Sequence, residues 1–256
     1  MPALWTISMA ANANFGTPFL IAEWRYLAML NYQIDPEILR SLVPKGTELD
    51  AWNGKTVVSM VGFLFVNTRV MGVAIPLHQN FEEINLRFYV RRKSEDGWRR
   101  GVVFVKEIVP RAAIALTARW FYNENYVALP TGNVIVSSQT NPANVESVKY
   151  FWRFKNKTHF IELVARGEAR HFAEGSEEEF ITQHYWGYCS QRDGGTVEYR
   201  VDHPAWRIWR AQSCRLECDV KNLYGGQFER GLKTEPTSAI LAEGSEIAVY
   251  KGRRIV

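Results

Sequence analysis

Polar side chains that could do chemistry alternate with apolar ones along the stretch NFEEINLRFY. A strand shows successive side chains to opposite faces, so Glu83, Asn85 and Arg87 share one face while the other face is apolar. Phe81 and Tyr89 bracket the three polar residues on their own face. Glu83 could act as an acid or a base, and Arg87 offers a charged fork that suits a carboxylate.

The polar face has three interpretations at this point. It is the wet side of an antiparallel sheet, a buried ion pair in which Arg87 lowers the pKa of Glu83, or the lining of a ligand site. Bracketing aromatic rings argue against open water, but the strand alone does not separate the other two interpretations.

Lys106 is a second candidate for chemistry. By simple alternation it shares a strand phase with Val102, Phe104 and Ile108. A lysine desolvated among apolar groups has a lowered pKa and becomes a nucleophile. The preferred alternative is that the stem packs while the ammonium reaches water.

The elements that position these residues are mostly strands. Residues 24–34 predict a strand, and Asp35-Pro36 then starts a short helix. Asn53-Gly54 predicts a hairpin that joins a short strand near Leu49 to a long strand over 56–68. Further strands are predicted over 98–108, 134–138, 148–154, 159–166 and 247–250.

Two longer helices are predicted. One covers PRAAIALTARWFY, which is rich in good helix formers. The other begins at a capping box of Ser176 and Glu179 and continues through EEEFITQHYWGYC, which brings Tyr185 and Tyr188 near one another. We therefore predict residues 1–20 to be an irregular arm and residues 21–256 to be one mostly antiparallel β domain (α+β) with two or three helices.

Composition excludes several classes of function. The 256 residues carry a net charge of +4 and no nucleic-acid-binding module, so we expect no nucleic-acid partner. Three cysteines indicate reduced thiols, and no apolar run is long enough to span a membrane, so we expect a cytoplasmic protein without a membrane partner. Five scattered histidines and the absence of nucleotide-binding glycine motifs predict no metal and no cofactor.

Longer stretches resemble a known family. LNYQIDPEILRSLVPKGTELDAWNGKTVVSMVGF, FEEINLRFYV, GVVF, ALTARWFY and EYRVDHPAW follow one another as in the bacterial domain of unknown function 2071 family, also called YqjF-like. The resemblance covers about residues 22–255. That family is grouped with the acetoacetate decarboxylase-like superfamily, so the resemblance implies an open, cone-shaped antiparallel β barrel with flanking helices.

The resemblance does not imply the decarboxylase reaction. In acetoacetate decarboxylase a lysine forms a Schiff base with the keto acid, and an adjacent lysine lowers the pKa of the first. Ala118-Arg119-Trp120 occupies the corresponding place in this chain, and no lysine occurs between Lys106 and Lys149. Gln33 replaces an assisting arginine, whereas Glu83 matches a cavity glutamate. A Schiff-base decarboxylase is therefore not expected.

The resulting hypothesis is an interior pocket that binds a small anionic or carbonyl-containing organic molecule, such as a carboxylate. Glu83 is the candidate catalytic residue. The candidate ligand-binding residues are Asn85, Arg87, Arg119, Tyr122, Tyr185 and Tyr188. The alternative is a lysine-independent lyase or hydrolase that uses Glu83 as acid or base. The sequence also allows a homo-oligomer, and it allows a polar interior that is only structural.

Overall fold

The computed structural model describes residues 15–113 and 123–256, which form fourteen strands and three short α-helices. The strands are β1 (Leu20–Gln33), β2 (Glu48–Leu49), β3 (Val57–Val70), β4 (Phe81–Ser94), β5 (Gly97–Val109), β6 (Tyr126–Ala128), β7 (Thr131–Ser137), β8 (Val145–Phe154), β9 (Lys157–Ala165), β10 (Trp186–Ser190), β11 (Thr196–Asp202), β12 (Ile208–Glu217), β13 (Ser238–Val249) and β14 (Arg253–Arg254). The helices are α1 (Glu177–Thr182), α2 (Val220–Leu223) and α3 (Glu229–Leu232). Single 3-10 turns lie at Pro36–Ile38, Arg40–Leu42 and Gly226–Phe228.

Seven strands form a closed ring in the order β11, β10, β5, β4, β3, β1 and β13. Two residue pairs close it, because Val201 and Asp202 of β11 pair with Val249 and Ala248 of β13. Neighbouring strands in the ring run antiparallel except β10 and β5, which are parallel. The predicted fold class, mostly β with a few short helices, is confirmed.

A second sheet continues from β13 through β12, β9, β8 and β7 and packs against the outside of the ring. Tyr150 of β8 lies directly on Gly62 of β3, where an added Cβ would be 2.7 Å from the tyrosine ring. The Tyr150 hydroxyl donates to the Tyr26 carbonyl oxygen of β1 at 2.8 Å. Apolar side chains from both layers fill the space between them, so the two sheets share one large core.

Strand β4 is buried on both faces. Its apolar phase, which includes Ile84, Leu86 and Phe88, belongs to the core between the two sheets, and all three residues are fully buried. Phe81 and Tyr89, on the other phase, belong to a separate apolar cluster inside the ring. The polar residues between those two aromatic side chains therefore face the ring interior rather than solvent.

The hairpin prediction near residue 53 needs a correction. Asn53 and Gly54 do form the turn, with φ angles of 49° and 76°. However, Glu48–Leu49 pairs with β4 rather than with β3. The Asn-Gly pair predicted the turn correctly, but the pairing partner of β2 depends on the position of β4 in the ring.

The helix predicted through Cys189 is also wrong in its length. It begins at the Ser176 cap, whose hydroxyl accepts from the Glu179 amide at 3.2 Å, but it ends at Thr182. Trp186–Ser190 is instead a strand that pairs with both β5 and β11. Tertiary pairing on two sides overrides the local helix preference. Of the helix predicted over 110–122, the part after Ala113 lies outside the described residues. Most of the predicted N-terminal arm also lies outside them.

No helix in the described part of the chain is long and apolar enough to cross a membrane.

The two-sided burial of β4 predicts the cost of truncating its apolar face. Leu86→Ala should lower the free energy of unfolding by about 2–5 kcal/mol, because it leaves a cavity between two packed sheets. Leu77→Ala is the matched control, since Leu77 is 79% exposed, and it should change stability by less than about 0.5 kcal/mol. Urea denaturation measures both values, and equal effects would contradict the layered packing.

Candidate functional site

The ring encloses a cavity of about 280 Å³. Much of its wall is aromatic and comes from strands on several sides of the ring, together with the segment between β11 and β12. The aromatic wall includes Trp24, Phe63, Phe65, Phe81, Phe104 and Trp206. Carboxyl, amide, guanidinium and imidazole groups interrupt this wall, so the cavity is apolar with a small number of charged and polar positions.

Glu83 of β4 lines this cavity and is 3% exposed. Its carboxyl group accepts hydrogen bonds from the Asn85 side-chain amide at 3.1 Å and from the Tyr126 hydroxyl at 3.2 Å. Burial away from water raises the pKa of Glu83 to about 7, although the Asn85 hydrogen bond opposes the shift and the Glu124 charge adds to it. Glu83 therefore exchanges a proton near neutral pH.

Two further buried acids face the same cavity. Glu107 of β5 lies opposite Asn85 in the strand register and is 1% exposed. Glu124 lies just before β6 and accepts a hydrogen bond from the Tyr199 hydroxyl at 2.6 Å. Burial raises the pKa of both carboxyls, and for Glu107 the nearby Glu124 charge adds to the shift. The cavity therefore contains three buried carboxyl groups rather than one.

Simple alternation failed to identify Glu107 because β5 has a bulge opposite Leu86 and Arg87. Arg87 pairs with Phe104 and Leu86 pairs with Lys106, so one residue of β5 is left over between them. The bulge reverses the phase, which turns Glu107 inwards and Lys106 outwards. The Lys106 ammonium donates to the backbone carbonyl of Leu223 at the end of α2.

No local pattern in the sequence indicated that Glu124 faces the cavity. It lies in the connection before β6 and reaches the cavity because β6 pairs in parallel with β5, with Tyr126 opposite Glu107. That pairing joins residues about twenty positions apart, which no periodic pattern in the sequence reveals.

Arg87 lies further along the polar face of β4. Its guanidinium donates to the Ile181 carbonyl oxygen at 3.2 Å and lies 5.6 Å from the centre of the Tyr89 ring. Its Nε atom has no hydrogen-bond partner among the described residues. Within the described chain Arg87 forms no salt bridge with Glu83. The charge of Arg87 still acts to lower the pKa of Glu83, but burial outweighs it.

His184 closes the cavity beside Arg87. Its ring lies 4.6 Å from the Tyr89 ring, and neither ring nitrogen has a hydrogen-bond partner in the described part of the chain. Burial lowers the pKa of His184 far below its ordinary value, and the charges of Arg100 and Arg87 lower it further. The imidazole is therefore neutral and can either donate or accept.

Buried polar atoms without a hydrogen-bond partner concentrate around the cavity. Within the described ranges nine residues carry such atoms, and six of the nine line the cavity. Those six are Trp24, Thr68, Asn85, Arg87, Glu107 and His184. Buried polar groups in folded proteins are normally hydrogen-bonded, so this concentration distinguishes the cavity from the rest of the core.

Among the other predicted site residues, the described Tyr185 and Tyr188 do not line the cavity. Tyr185 is half-buried and packs on His203, with ring centres 4.9 Å apart, but it is not among the described residues that line the cavity. The Tyr188 hydroxyl donates to the buried Glu198 carboxylate at 3.1 Å, on a separate polar cluster. Arg119 and Tyr122 lie outside the described residues.

The described residues offer neither a cluster of metal ligands nor a lysine at the cavity wall. In residues 15–113 and 123–256, no group of three or more His, Cys, Asp or Glu side chains is arranged to hold a metal ion. No lysine of those ranges lines the cavity, and the two undescribed stretches contain no lysine in their sequence. A protein amine for a Schiff base is therefore not present at the cavity wall.

Solved structures with this fold are acetoacetate decarboxylase-like enzymes. The enduracididine biosynthesis enzyme MppR, solved with pyruvate, aligns over 93% of this chain and 91% of its own with a TM-score of 0.65 and 13% identity. Acetoacetate decarboxylase from Legionella pneumophila aligns over 94% and 89% with a TM-score of 0.61 and 12% identity. These values show a shared fold, so this chain has the acetoacetate decarboxylase-like fold.

Within that class the chain belongs to the DUF2071 family, described as uncharacterized conserved proteins, whose model matches residues 21–246. The curated protein YqjF of Bacillus subtilis (strain 168), itself uncharacterized, is 26% identical over 204 residues, which are 78% of each chain. The resemblance noted in the sequence is therefore confirmed.

The buried carboxyls predict a stability that falls as the pH rises towards neutrality. The pKa of Glu83 is about 7 in the folded protein against an ordinary value of 4.5, so the folded state holds the extra proton between these values. The stabilisation is complete below a pH of about 4.5 and is lost as the pH rises through about 7. Glu83→Gln stays neutral throughout and should reduce this slope by up to about 1.4 kcal/mol per pH unit.

Urea denaturation at several pH values across this interval measures the slope. His184 contributes an opposite slope, because its pKa is lowered, but it does so in wild type and variant alike. Glu95→Gln is the matched control, since Glu95 is exposed. Parallel curves for wild type and Glu83→Gln would show that Glu83 is already ionised in the folded protein.

Proposed function

We propose that the cavity inside the ring binds a small organic molecule that carries an anionic group or a carbonyl. The observation that supports this most strongly is the concentration of unpartnered polar atoms in an otherwise aromatic wall. Each unpartnered buried polar group costs about 1–3 kcal/mol, and a ligand that supplies the missing partners recovers that cost. Aromatic walls with a few convergent polar groups are the usual lining of small-molecule sites.

Arg87 is the proposed anion-binding group. Its charge is permanent, its Nε donor is unpartnered, and the Ile181 carbonyl occupies only part of its fork. The Tyr89 ring beside it and the neutral His184 add no negative charge at this end. A carboxylate at Arg87 would therefore gain a charge-assisted hydrogen bond in a largely desolvated place.

Glu83 is the proposed partner for a carbonyl oxygen. With a pKa raised to about 7 by burial it keeps its proton to a higher pH than an exposed glutamate, and a protonated carboxyl donates a hydrogen bond. A structural relative supports a keto acid as the type of ligand, since MppR was solved with pyruvate. This support is one of fold analogy only, because the identity is 13%.

Binding can be tested by thermal shift with a panel of small organic acids, including keto acids. At least one acid should raise the melting temperature of the wild type, and Arg87→Met should abolish the shift because it removes the cation while keeping a long side chain. Arg166→Gln, on the exposed end beyond β9, should leave the shift unchanged. If no acid stabilises the wild type, or if the shift survives both Arg87→Met and Glu83→Gln, the polar interior is only structural.

A second candidate function is supported by the proton affinity of Glu83. A general acid or base is most effective when its pKa lies near the working pH, and the pKa of Glu83 is about 7. Glu83 could remove or return a proton next to a carbonyl group of a bound ligand. Such a lyase or hydrolase would work without a covalent lysine.

Proton exchange and covalent trapping test this second candidate together. In deuterated water, exchange at the carbon beside the carbonyl of levulinate or pyruvate, followed by proton NMR, should be lost in Glu83→Gln and kept in Lys106→Met. Borohydride treatment with the same acids should give no mass adduct, because Lys106 faces away from the cavity. A borohydride adduct that disappears in Lys106→Met would overturn the lysine-independent assignment.

A further inference from the structure

The unpartnered atoms of the cavity differ in kind from one end of β4 to the other. At the glutamate end they are oxygen atoms, namely Oε2 of Glu107 and Oδ1 of Asn85. The Asn85 nitrogen donates to Glu83, which fixes the amide oxygen as the free atom. At the other end the unpartnered atoms are the Nε donor of Arg87 and the two ring nitrogens of His184. The glutamate end therefore has unpartnered oxygen atoms, whereas the other end has a cationic donor that calls for an acceptor on the ligand, beside a neutral imidazole that can donate or accept.

The ionisable groups follow the same division. Three carboxyl groups face the glutamate end, from Glu83 on β4, Glu107 on β5 and Glu124 before β6. The groups packed against them are Asn85, the Tyr126 hydroxyl on Glu83 and the Tyr199 hydroxyl on Glu124. The positive charge that these described residues meet along β4 is Arg87, and the histidines beside it, His184 and His203, have pKa values lowered by burial.

The two ends are well separated. Glu83 and Arg87 are four residues apart on an extended strand, so their Cα atoms are about 13 Å apart. Asn85 lies between them on the same face, and side chains from both ends reach into the space between. A short ligand with a polar group at each end fits this arrangement better than a ligand with a single polar group.

We infer that the ligand is a zwitterion whose carboxylate binds Arg87 and whose protonated nitrogen group binds between Glu83, Glu107 and Asn85. This inference rests on the anion-binding part of the proposed function, at Arg87, and names a cationic group in place of the carbonyl as the ligand group at Glu83. An ammonium or guanidinium group offers donors only, which matches the free oxygen atoms of Glu107 and Asn85. Tyr126 and Tyr199, beside the carboxyls, add aromatic surface that favours a cation.

A neutral carbonyl explains the glutamate end less completely. One protonated carboxyl is enough to donate to a carbonyl oxygen, and the free Asn85 oxygen would stay unpartnered beside it. A cationic group satisfies both free oxygens at once. It also favours ionisation of the carboxyls that it contacts, so binding should release protons from the protein.

Three ligands of similar length separate these alternatives in calorimetric titrations of the full chain at neutral pH. Valerate ends in a methyl group, levulinate carries a keto group, and δ-aminovalerate ends in an ammonium group. We expect δ-aminovalerate to bind about tenfold or more tightly than either of the others, because a charge-assisted hydrogen bond replaces an unpartnered atom. Its binding heat should differ between phosphate and Tris buffers in the sense of proton release.

The variants assign the preference to the glutamate end. Glu107→Gln should reduce the ratio of the δ-aminovalerate affinity to the levulinate affinity towards one, while levulinate binding itself changes little. Arg87→Met should weaken the binding of all three ligands. Glu83→Gln is the second variant if Glu107→Gln does not fold, and Glu95→Gln is the exposed control. Levulinate binding as tightly as δ-aminovalerate would overturn the inference and leave the proposed function intact. Failure of all three ligands to bind would overturn both.

Discussion

The structure depends on one strand that is buried on both faces. The apolar face of β4 packs between the ring and the outer sheet, while the opposite face carries Glu83, Asn85 and Arg87 into the ring. A one-residue slip of β4 would exchange these faces, placing charged groups in the intersheet core and leucine in the cavity. The outer sheet therefore does more than cover the ring. By burying Ile84 and its neighbours, it fixes the register that directs the polar residues inwards.

The cavity wall adds an electrostatic constraint to this packing. Three carboxyl groups inside an apolar ring are costly to ionise, because burial and mutual repulsion both favour the neutral form. The hydroxyls of Tyr126 and Tyr199 satisfy some of the carboxyl oxygens, but Glu107 keeps one oxygen without a partner among the described residues. A core selected for stability alone would carry apolar residues here. Such departures from the rules of core packing are expected where a protein binds or transforms a ligand.

The sequence revealed the part of this arrangement that local periodicity encodes. The alternation of β4 predicted both of its faces, and the family resemblance predicted the fold. Glu107 was missed because a single-residue bulge in β5 reverses the phase that simple alternation assigns. For the same reason, simple alternation assigned Lys106 to the wrong face. The helix predicted through Cys189 failed because β10 is stabilised by strands on both sides, a tertiary effect that helix propensity does not contain. Bulges and non-local pairing thus account for the errors.

The same bulge bears on the chemistry that this fold can perform in this protein. It turns a glutamate inwards at the place where β5 crosses the polar face of β4 and directs the lysine of that strand to the backbone of α2. The cavity consequently has three acids whose pKa values are raised by burial, to about 7 for Glu83, but no described amine at its wall. Under the proposed function, carboxyls and an arginine would act on the ligand by hydrogen bonding, charge complementarity and proton transfer instead of covalent activation. The proposed zwitterionic ligand fits this wall because recognition of a charged group at each end requires no covalent intermediate.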